Sequence, residues 1–442
     1  MIADAKQMTK DLFISEDENY ITVINTAPVD RTDVLYLDLP EGMWLSDADG
    51  ELEQQRVQTL EGAEKVAVRG LVIPAYSSLV FELTNEEPES AEEEPLFVWH
   101  SDNVLETPCA AITFDERGYM ASFFDKLAGR ELRNPDGYAL NTFLVAEDVP
   151  ESYDNWDIDA DAMLKLRDNA KLLSREVVGC GGVELRIRSA YQITPKTVLK
   201  QDMIFFADYP EVRFETAIDW NDDHRLLKTS FATNVLSDFA AHEVQFGFVK
   251  RPTTRSTSIE KAKFEVVNQK YTDISEGGYG VALLNDCKYG ISAEDGCLSL
   301  TLHKGGNRPD YTGDKGHHLC TYSFLPHNGV LEAGNVIYPA YELNYEPVVV
   351  AGRHEMEPLV RVEAENVIPE TIKPCEEESQ RAFIVRLYEA TNTFTHTGFC
   401  APGAKKMQVV DLLEDGLEDE VEGEFLPLTF KPFEIKTVKV WY

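Results

Sequence analysis

Two stretches of this chain switch between apolar and charged or polar side chains at nearly every residue. They are Val183-Glu184-Leu185-Arg186-Ile187-Arg188-Ser189-Ala190-Tyr191 and Arg213-Phe214-Glu215-Thr216-Ala217-Ile218-Asp219-Trp220. On a strand, successive side chains point to opposite faces, so a period of two specifies a strand with one face in a core and the other in water. Shorter runs of β-branched and aromatic residues between turn formers extend the pattern to 20–25, 34–40, 66–68, 78–83, 382–388 and 436–441. Residues 111–115 and 120–125 flank Glu116-Arg117-Gly118-Tyr119, a hairpin signal with glycine at the turn. So many strands with so few helical stretches predict an all-β chain of antiparallel sandwiches with little helix.

At 442 residues and 43 % apolar content, the chain can bury a large core and divide into two to four domains. The segment 85–95 is acid and proline with almost no hydrophobes, which marks it as a solvated linker. It separates a small β-sandwich over 13–84 from a large sandwich over 96–350. A small closing sandwich is expected over 351–442, and 1–12 reads as the end of a helix. The net charge of −37 repels phosphate backbones and anionic lipid, which disfavours nucleic-acid and membrane-surface roles. The 7 cysteines are scattered and contain no Cys-x-x-Cys pair, the usage of a chain kept in a reducing cytoplasm. The N-terminus lacks the apolar core of a signal peptide, and no run of 18 apolar residues occurs. A cytoplasmic location is the expectation.

Catalytic motifs are sparse. His242-Glu243 and His354-Glu355 begin like a His-Glu-x-x-His zinc site, but Phe246 and Pro358 stand where the second histidine belongs. His317 and His318, if on a strand, point to opposite faces and cannot share one ion. His100 and Asp102 read as polar surface. No nucleophile elbow and no phosphate loop is present. With 78 acidic residues, a pair of carboxylates at glycosidase spacing carries almost no information.

Two polar loops remain. Tyr153-Asp154-Asn155-Trp156-Asp157-Ile158-Asp159 places two aromatics among carboxylates and an amide. Rings stack on the apolar faces of sugars, and paired polar groups hold hydroxyls. The plainer reading is a loop with Trp156 buried and its Asp and Asn capping turns. The second loop runs from Gly305 to His318 and carries Arg308, Asp310, Asp314 and His317. Its plainer reading is a long hairpin loop tied by an Arg–Asp pair, although long ordered loops tend to be functional.

Several landmarks, in order, resemble family-38 glycoside hydrolases, the α-mannosidases. Ile24-Asn25-Thr26-Ala27-Pro28-Val29-Asp30-Arg31 is similar to the strand that opens that family's first β-domain, and Pro74-Ala75-Tyr76-Ser77-Ser78 to the segment that closes it. Ser122-Phe123-Phe124-Asp125-Lys126 with Gly129-Arg130-Glu131 resembles a family hairpin. Asp154-Asn155-Trp156-Asp157-Ile158-Asp159 resembles its D-x-W-D-I-D run, without a two-residue Ala-Trp that many members carry. The stretch from Asp310 to Tyr322 resembles another family motif, with Gly313 in place of alanine and Leu319-Cys320 in place of the usual phenylalanine. Arg386-Leu387-Tyr388-Glu389 and Lys431-Pro432-Phe433-Glu434-Ile435-Lys436-Thr437 resemble its extreme C-terminus.

The resemblance implies that the large domain is a galactose-mutarotase-like supersandwich flanked by smaller sandwich segments. It also implies that 1–12 is the remnant of a helical bundle, and that the chain is a piece or a split subunit of a larger enzyme. The family's zinc ligands and catalytic aspartates lie in an N-terminal α/β barrel whose motifs match nothing here. No catalytic residue, metal ligand or cofactor is therefore expected in this chain, and zinc is expected in the barrel half. The expected role is to brace that barrel, in cis or in trans, and to lend loops to an α-mannoside or other glycan site, with Tyr153, Asp154, Asn155, Trp156, Asp157, Arg308, Asp310, Asp314 and His317 as the candidate edge.

Whether the chain has enzyme activity of its own stays open at this point. One alternative is a stand-alone carbohydrate-binding module. Another is a self-sufficient mutarotase-like enzyme using His242 or His317 with a glutamate. If a barrel docks on this chain, an exposed apolar patch should mark the place, with self-association to a homo-oligomer as its consequence.

Overall fold

The computed structural model describes residues 7–8, 10–13, 15, 17–46, 52–88, 94–377 and 381–442. Strands take up 49 % of the chain and helices 6 %, and the named sheet pairings are antiparallel, so the chain is all-β. The helical-remnant expectation for 1–12 falls largely on residues 1–6 and 9, outside the described residues. So do residues 89–93 of the expected linker.

The first unit has a four-stranded sheet in the order Val348–Ala351, Tyr20–Ile24, Ser78–Thr84, Trp44–Leu45. Against it lies a three-stranded sheet of Leu35–Leu37, Glu64–Arg69 and Glu53–Gln58. Val23, Leu37, Trp44, Val66 and Ile73 fill the space between. The expected boundary at 350 falls inside a strand: Val348–Ala351 pairs with Ile21–Ile24, so the chain returns to its first sheet before entering the last unit.

The large sandwich is built on a nine-stranded sheet. Its order is Lys171–Cys180, Glu184–Gln192, Val198–Phe206, Val212–Trp220, Gly316–Asn328, Tyr279–Asn285, Tyr271–Ser275, Phe239–Val244, Gly247–Pro252. Two five-stranded sheets share its core. One contains Thr142–Glu147, Arg225–Ala232 and Cys297–Lys304; the other contains Ala110–Phe114 and Met120–Asp125. Phe123, Phe143, Phe214, Phe231, Tyr322 and Phe324 form one buried cluster drawn from all three. The expected hairpin is present. Asp115 Oδ1 accepts from the amides of Arg117 (2.9 Å) and Tyr119 (3.0 Å), and Gly118 takes φ +80° to close the turn. The edge strand Lys171–Cys180 carries two register shifts, which bend it away from pairing with another chain.

One expectation fails on this sheet. Alternation predicts that Glu184 and Arg186 face water, yet both are fully buried. The first unit lies on that face. Gln55 Oε1 accepts from the amides of Val183 (3.1 Å) and Glu184 (3.0 Å), and the Tyr36 hydroxyl donates to Glu184. Arg186 pairs with Glu184 at 2.8 Å, Asp202 at 3.1 Å and Glu215 at 2.6 Å. Burial works against the Arg186 charge, but the surrounding carboxylates outweigh it and hold the guanidinium ionised.

The last unit pairs a three-stranded sheet (Arg361–Val362, Thr395–Cys400, Phe425–Phe430) with a five-stranded one around Ala382–Glu389 and Ile435–Trp441. A short helix, Tyr338–Asn344, follows a π-turn at Ala333–Ile337. Its Tyr341 joins Tyr271 of the large sandwich and Tyr388 of the last unit in one buried cluster.

Candidate functional site

Three connections cross between the nine-stranded sheet and the facing five-stranded sheet at the same end of the sandwich. Residues 148–170 lead from Thr142–Glu147 to Lys171–Cys180. Residues 221–224 lead from Val212–Trp220 to Arg225–Ala232. Residues 305–315 lead from Cys297–Lys304 to Gly316–Asn328. Both polar loops singled out in the sequence are among these crossovers, and the fold brings them together.

Asp154, 5 % exposed, is the pin. Its Oδ1 accepts from the amides of Asn307 (3.1 Å) and Arg308 (2.7 Å). Asn155 completes the clasp: its amide donates to the Arg308 carbonyl (2.9 Å), and its Oδ1 accepts from the Asp310 amide (2.8 Å). The backbones approach so closely that a Cβ on Gly306 would sit 2.5 Å from the Asp154 carbonyl oxygen. One on Gly313, at φ +57°, would sit 2.3 Å from the Gly306 oxygen. The expected Arg308–Asp tie is thus replaced by a carboxylate binding backbone amides.

The exposed side chains stand on this base. Trp156 is 75 % exposed and Tyr153 57 % exposed, which removes the reading in which Trp156 is a buried anchor. Their rings stack at 5.4 Å with 26° between planes. Tyr153 holds φ +51°, and its carbonyl accepts from the amides of Trp156 (2.8 Å) and Asp157 (3.1 Å), a tight turn that aims both rings outward. Asp157, Arg308, Asp310 and Asp314 are exposed. Asp310 is turned inward on its own loop: its Oδ1 accepts from the Thr312 amide (2.9 Å) and hydroxyl (2.7 Å), and these bonds hold its carboxyl below the usual range. His317 starts the long central strand and pairs with Asp219 at 2.6 Å.

Three further residues that fix the site, His224, Lys304 and Asp148, carry no motif of their own. His224, at φ +54° in the turn between two crossover strands, places Nδ1 3.0 Å from Asp154 Oδ2 without hydrogen-bond geometry. Its Nε2 lies 3.2 Å from Asn307 Nδ2. Lys304 donates to the carboxylate of buried Asp148 and to the Asp154 carbonyl. Burial raises the Asp148 carboxyl even though Lys304 opposes the shift. Read singly, each is a polar residue beside a turn.

The other histidines do not assemble a site. His242 is 1 % exposed and bonds Thr272 at 3.0 Å; burial pushes it down to about 3, so it is a neutral interior residue, with no partner glutamate among the described residues. The His318 ring lies against His303, with centroids 4.4 Å apart and 55° between planes, and does not join His317. Among the described residues, no three His, Cys, Asp or Glu converge to hold a metal ion.

Residues 105–312 match the model of the glycosyl hydrolases family 38 C-terminal domain, and residues 366–438 match that family's C-terminal beta sandwich domain. The chain belongs to glycosyl hydrolase family 38. Both polar loops lie within or against the first match. This family-38 chain is 29 % identical to mouse alpha-mannosidase 2C1 over 95 % of its own length, and 32 % identical to the human protein over 78 %. It spans only 39 % and 34 % of those two relatives. An alpha-mannosidase structure from Enterococcus faecalis V583 superposes on 99 % of the chain with a TM-score of 0.73 at 14 % identity, covering 58 % of that protein. The β-architecture is therefore shared well below recognisable sequence similarity. No helix among the described residues is long and apolar enough to cross a membrane.

Proposed function

We propose that this family-38 chain is the non-catalytic β-portion of a retaining, zinc-dependent α-mannosidase, bracing a catalytic α/β barrel and lending the interlocked crossover loops to one wall of its glycan site. The observation that carries this reading is the Tyr153–Trp156 ring pair, held outward on loops pinned by Asp154. A large exposed ring pair on a rigid base is costly to leave in water unless something covers it. Val149, Leu164 and Tyr311 on the same crossovers are also exposed, at 55 %, 78 % and 82 %, and extend the apolar surface available to a barrel.

In this reading the rings pack on the apolar face of a sugar, while Asp157, Arg308, Asp314 and His317 hydrogen-bond its hydroxyls. Zinc belongs to the barrel half in this reading; among the described residues no three His, Cys, Asp or Glu converge to hold it. The seven free cysteines support a reducing compartment such as the cytoplasm.

The test is release of a chromophore from an aryl α-mannoside with added Zn²⁺, comparing the chain alone with the chain plus a family-38 barrel half. Turnover only in the mixture is the expected result. Metal-dependent turnover by the chain alone would overturn the assignment. The exposed ring pair also fits a free-standing glycan-binding module. That reading requires glycan-array binding by the isolated chain, and silence there removes it.

A further inference from the structure

A 680 Å³ groove at the crossover end is lined by residues of the nine-stranded sheet and of the facing five-stranded sheet. Four of its lining side chains are cations. Lys165 and Arg167 come from the 148–170 crossover, Lys171 opens the edge strand Lys171–Cys180, and Arg225 opens Arg225–Ala232. The backbone fixes their positions. Arg167 exchanges both main-chain hydrogen bonds with Val145, each at 2.9 Å. Its Nη1 donates to the carbonyls of Leu164 (2.9 Å) and Leu166 (2.7 Å), which ties the guanidinium to its own turn. Lys171 stands opposite Gln192, whose side-chain amide donates to the carbonyls of Thr194 (2.6 Å) and Thr197 (3.1 Å).

The chain carries 78 acidic side chains against 41 basic ones, so an average patch of its surface is acidic. This groove reverses that balance, because Glu147 is the one acid among its lining residues. Glu147 lies 3.9 Å from Arg225, a loose pair. Lys165 is taken up by Asp161 at 2.8 Å. Asp168 turns away to Arg117, and buried Asp222 accepts from the hydroxyls of Thr194 and Thr197. Arg167 and Lys171 are left with no carboxylate at ion-pair distance among the described residues. Like charges gathered in a concavity repel, and an anion between them relieves the repulsion. The chain's net charge of −37 does not prevent this, since charges beyond about 8–10 Å are largely screened at physiological salt.

We propose that this groove binds the phosphate ester of a phosphorylated glycan. A phosphate monoester approaches two negative charges at neutral pH, which matches the two unpartnered cations, whereas a carboxylate or a sulfate ester leaves one of them unmatched. The planar fork of Arg167 suits two phosphate oxygens at once, and Lys171 adds a point charge. The volume accommodates a sugar phosphate. The 148–170 crossover carries both Arg167 and the Tyr153–Trp156 ring pair, so one segment offers an anion site and a sugar-stacking surface. The glycan part of the proposal rests on the sugar-binding reading above; the anion part does not.

Calorimetric titration of the full chain at neutral pH and low salt tests the groove, with mannose 6-phosphate, mannose and inorganic phosphate as probes. Mannose 6-phosphate is expected to bind with a Kd of roughly 1 mM or tighter. Mannose and inorganic phosphate are each expected to bind about tenfold more weakly, and added salt to weaken the ester. Lys171→Glu is expected to weaken binding of the ester about tenfold or more. Lys263→Glu makes the same change at an exposed position outside the groove and is expected to leave binding unchanged. Should Lys171→Glu not fold, Arg167→Lys decides: it keeps the charge, removes the fork, and is expected to cost about threefold or more. No binding of mannose 6-phosphate, or binding unmoved by the deciding variant, would overturn the anion site. Inorganic phosphate binding as tightly as mannose 6-phosphate would overturn the glycan ester as its ligand. The titration needs no barrel half, so its failure and that of the mannoside assay are separate results.

Discussion

Charged side chains gather in two places, and the two are built on opposite terms. Where the first unit lies on the nine-stranded sheet, Glu184, Arg186 and Asp202 are dry and each has a partner within 3.1 Å. At the crossover end, the acids Asp148, Asp154 and Asp222 are buried as anchors, and the side chains of Asp157, Arg308, Asp310 and Asp314 stand in water. The first arrangement uses charge to define how two units meet. The second spends its buried charge on holding backbone, leaving the outward side chains free to meet something else. A network whose members are all satisfied rigidifies an interior, whereas a pinned loop with unsatisfied tips presents a surface.

Removing a partner at each place sharpens the contrast. Arg186→Met leaves the dry Glu184 carboxylate without a cation, while Asp202 keeps Arg188 and Glu215 reaches water, and is expected to cost about 3–5 kcal/mol in urea denaturation of the full chain. A loss below about 1 kcal/mol, the value of an exposed pair, would mean that the junction is wetter than it looks. Asp154→Ala leaves the amides of Asn307 and Arg308 without their acceptor and is expected to cost about 1–3 kcal/mol, confined to the loops. Faster amide exchange over 305–310 with little movement of the global midpoint is the signature. Trp156→Ala is expected to change stability by no more than about 0.5 kcal/mol. In the reconstituted mannoside assay the same variant should lose about tenfold or more in turnover, equivalent to roughly 1.4 kcal/mol. If Trp156→Ala destabilises the fold as much as Asp154→Ala does, the ring is a packing element and the comparison fails.

The strands were legible because a period of two is a backbone property written directly into residue type. Which face stays dry was not legible. Glu184 and Arg186 look solvent-facing by composition, and their cover, Gln55 and Tyr36, arrives from more than a hundred positions upstream. The two polar loops stood out by density of aromatic and acidic residues, and their mutual grip by the same Asp154 and Asn155. Yet the direction of the grip, carboxylate to amide in place of Arg to Asp, depends on a backbone approach that only glycines at 306 and 313 permit. His224 was invisible because its significance lies in a third crossover meeting the other two.

The pairing of Tyr20–Ile24 with Val348–Ala351 sets an order of events during synthesis. The Thr22 hydroxyl bonds the Gly352 carbonyl across 330 positions, so the first sheet lacks an edge until nearly the whole large sandwich has been made. At ribosomal speeds that is a wait of roughly tens of seconds with Tyr20–Ile24 open on one side. Of the three units described, the first to be synthesised is thus among the last to be completed. A nascent chain halted before residue 348 would expose a bare strand edge, the kind of surface on which chaperones act and aggregates begin.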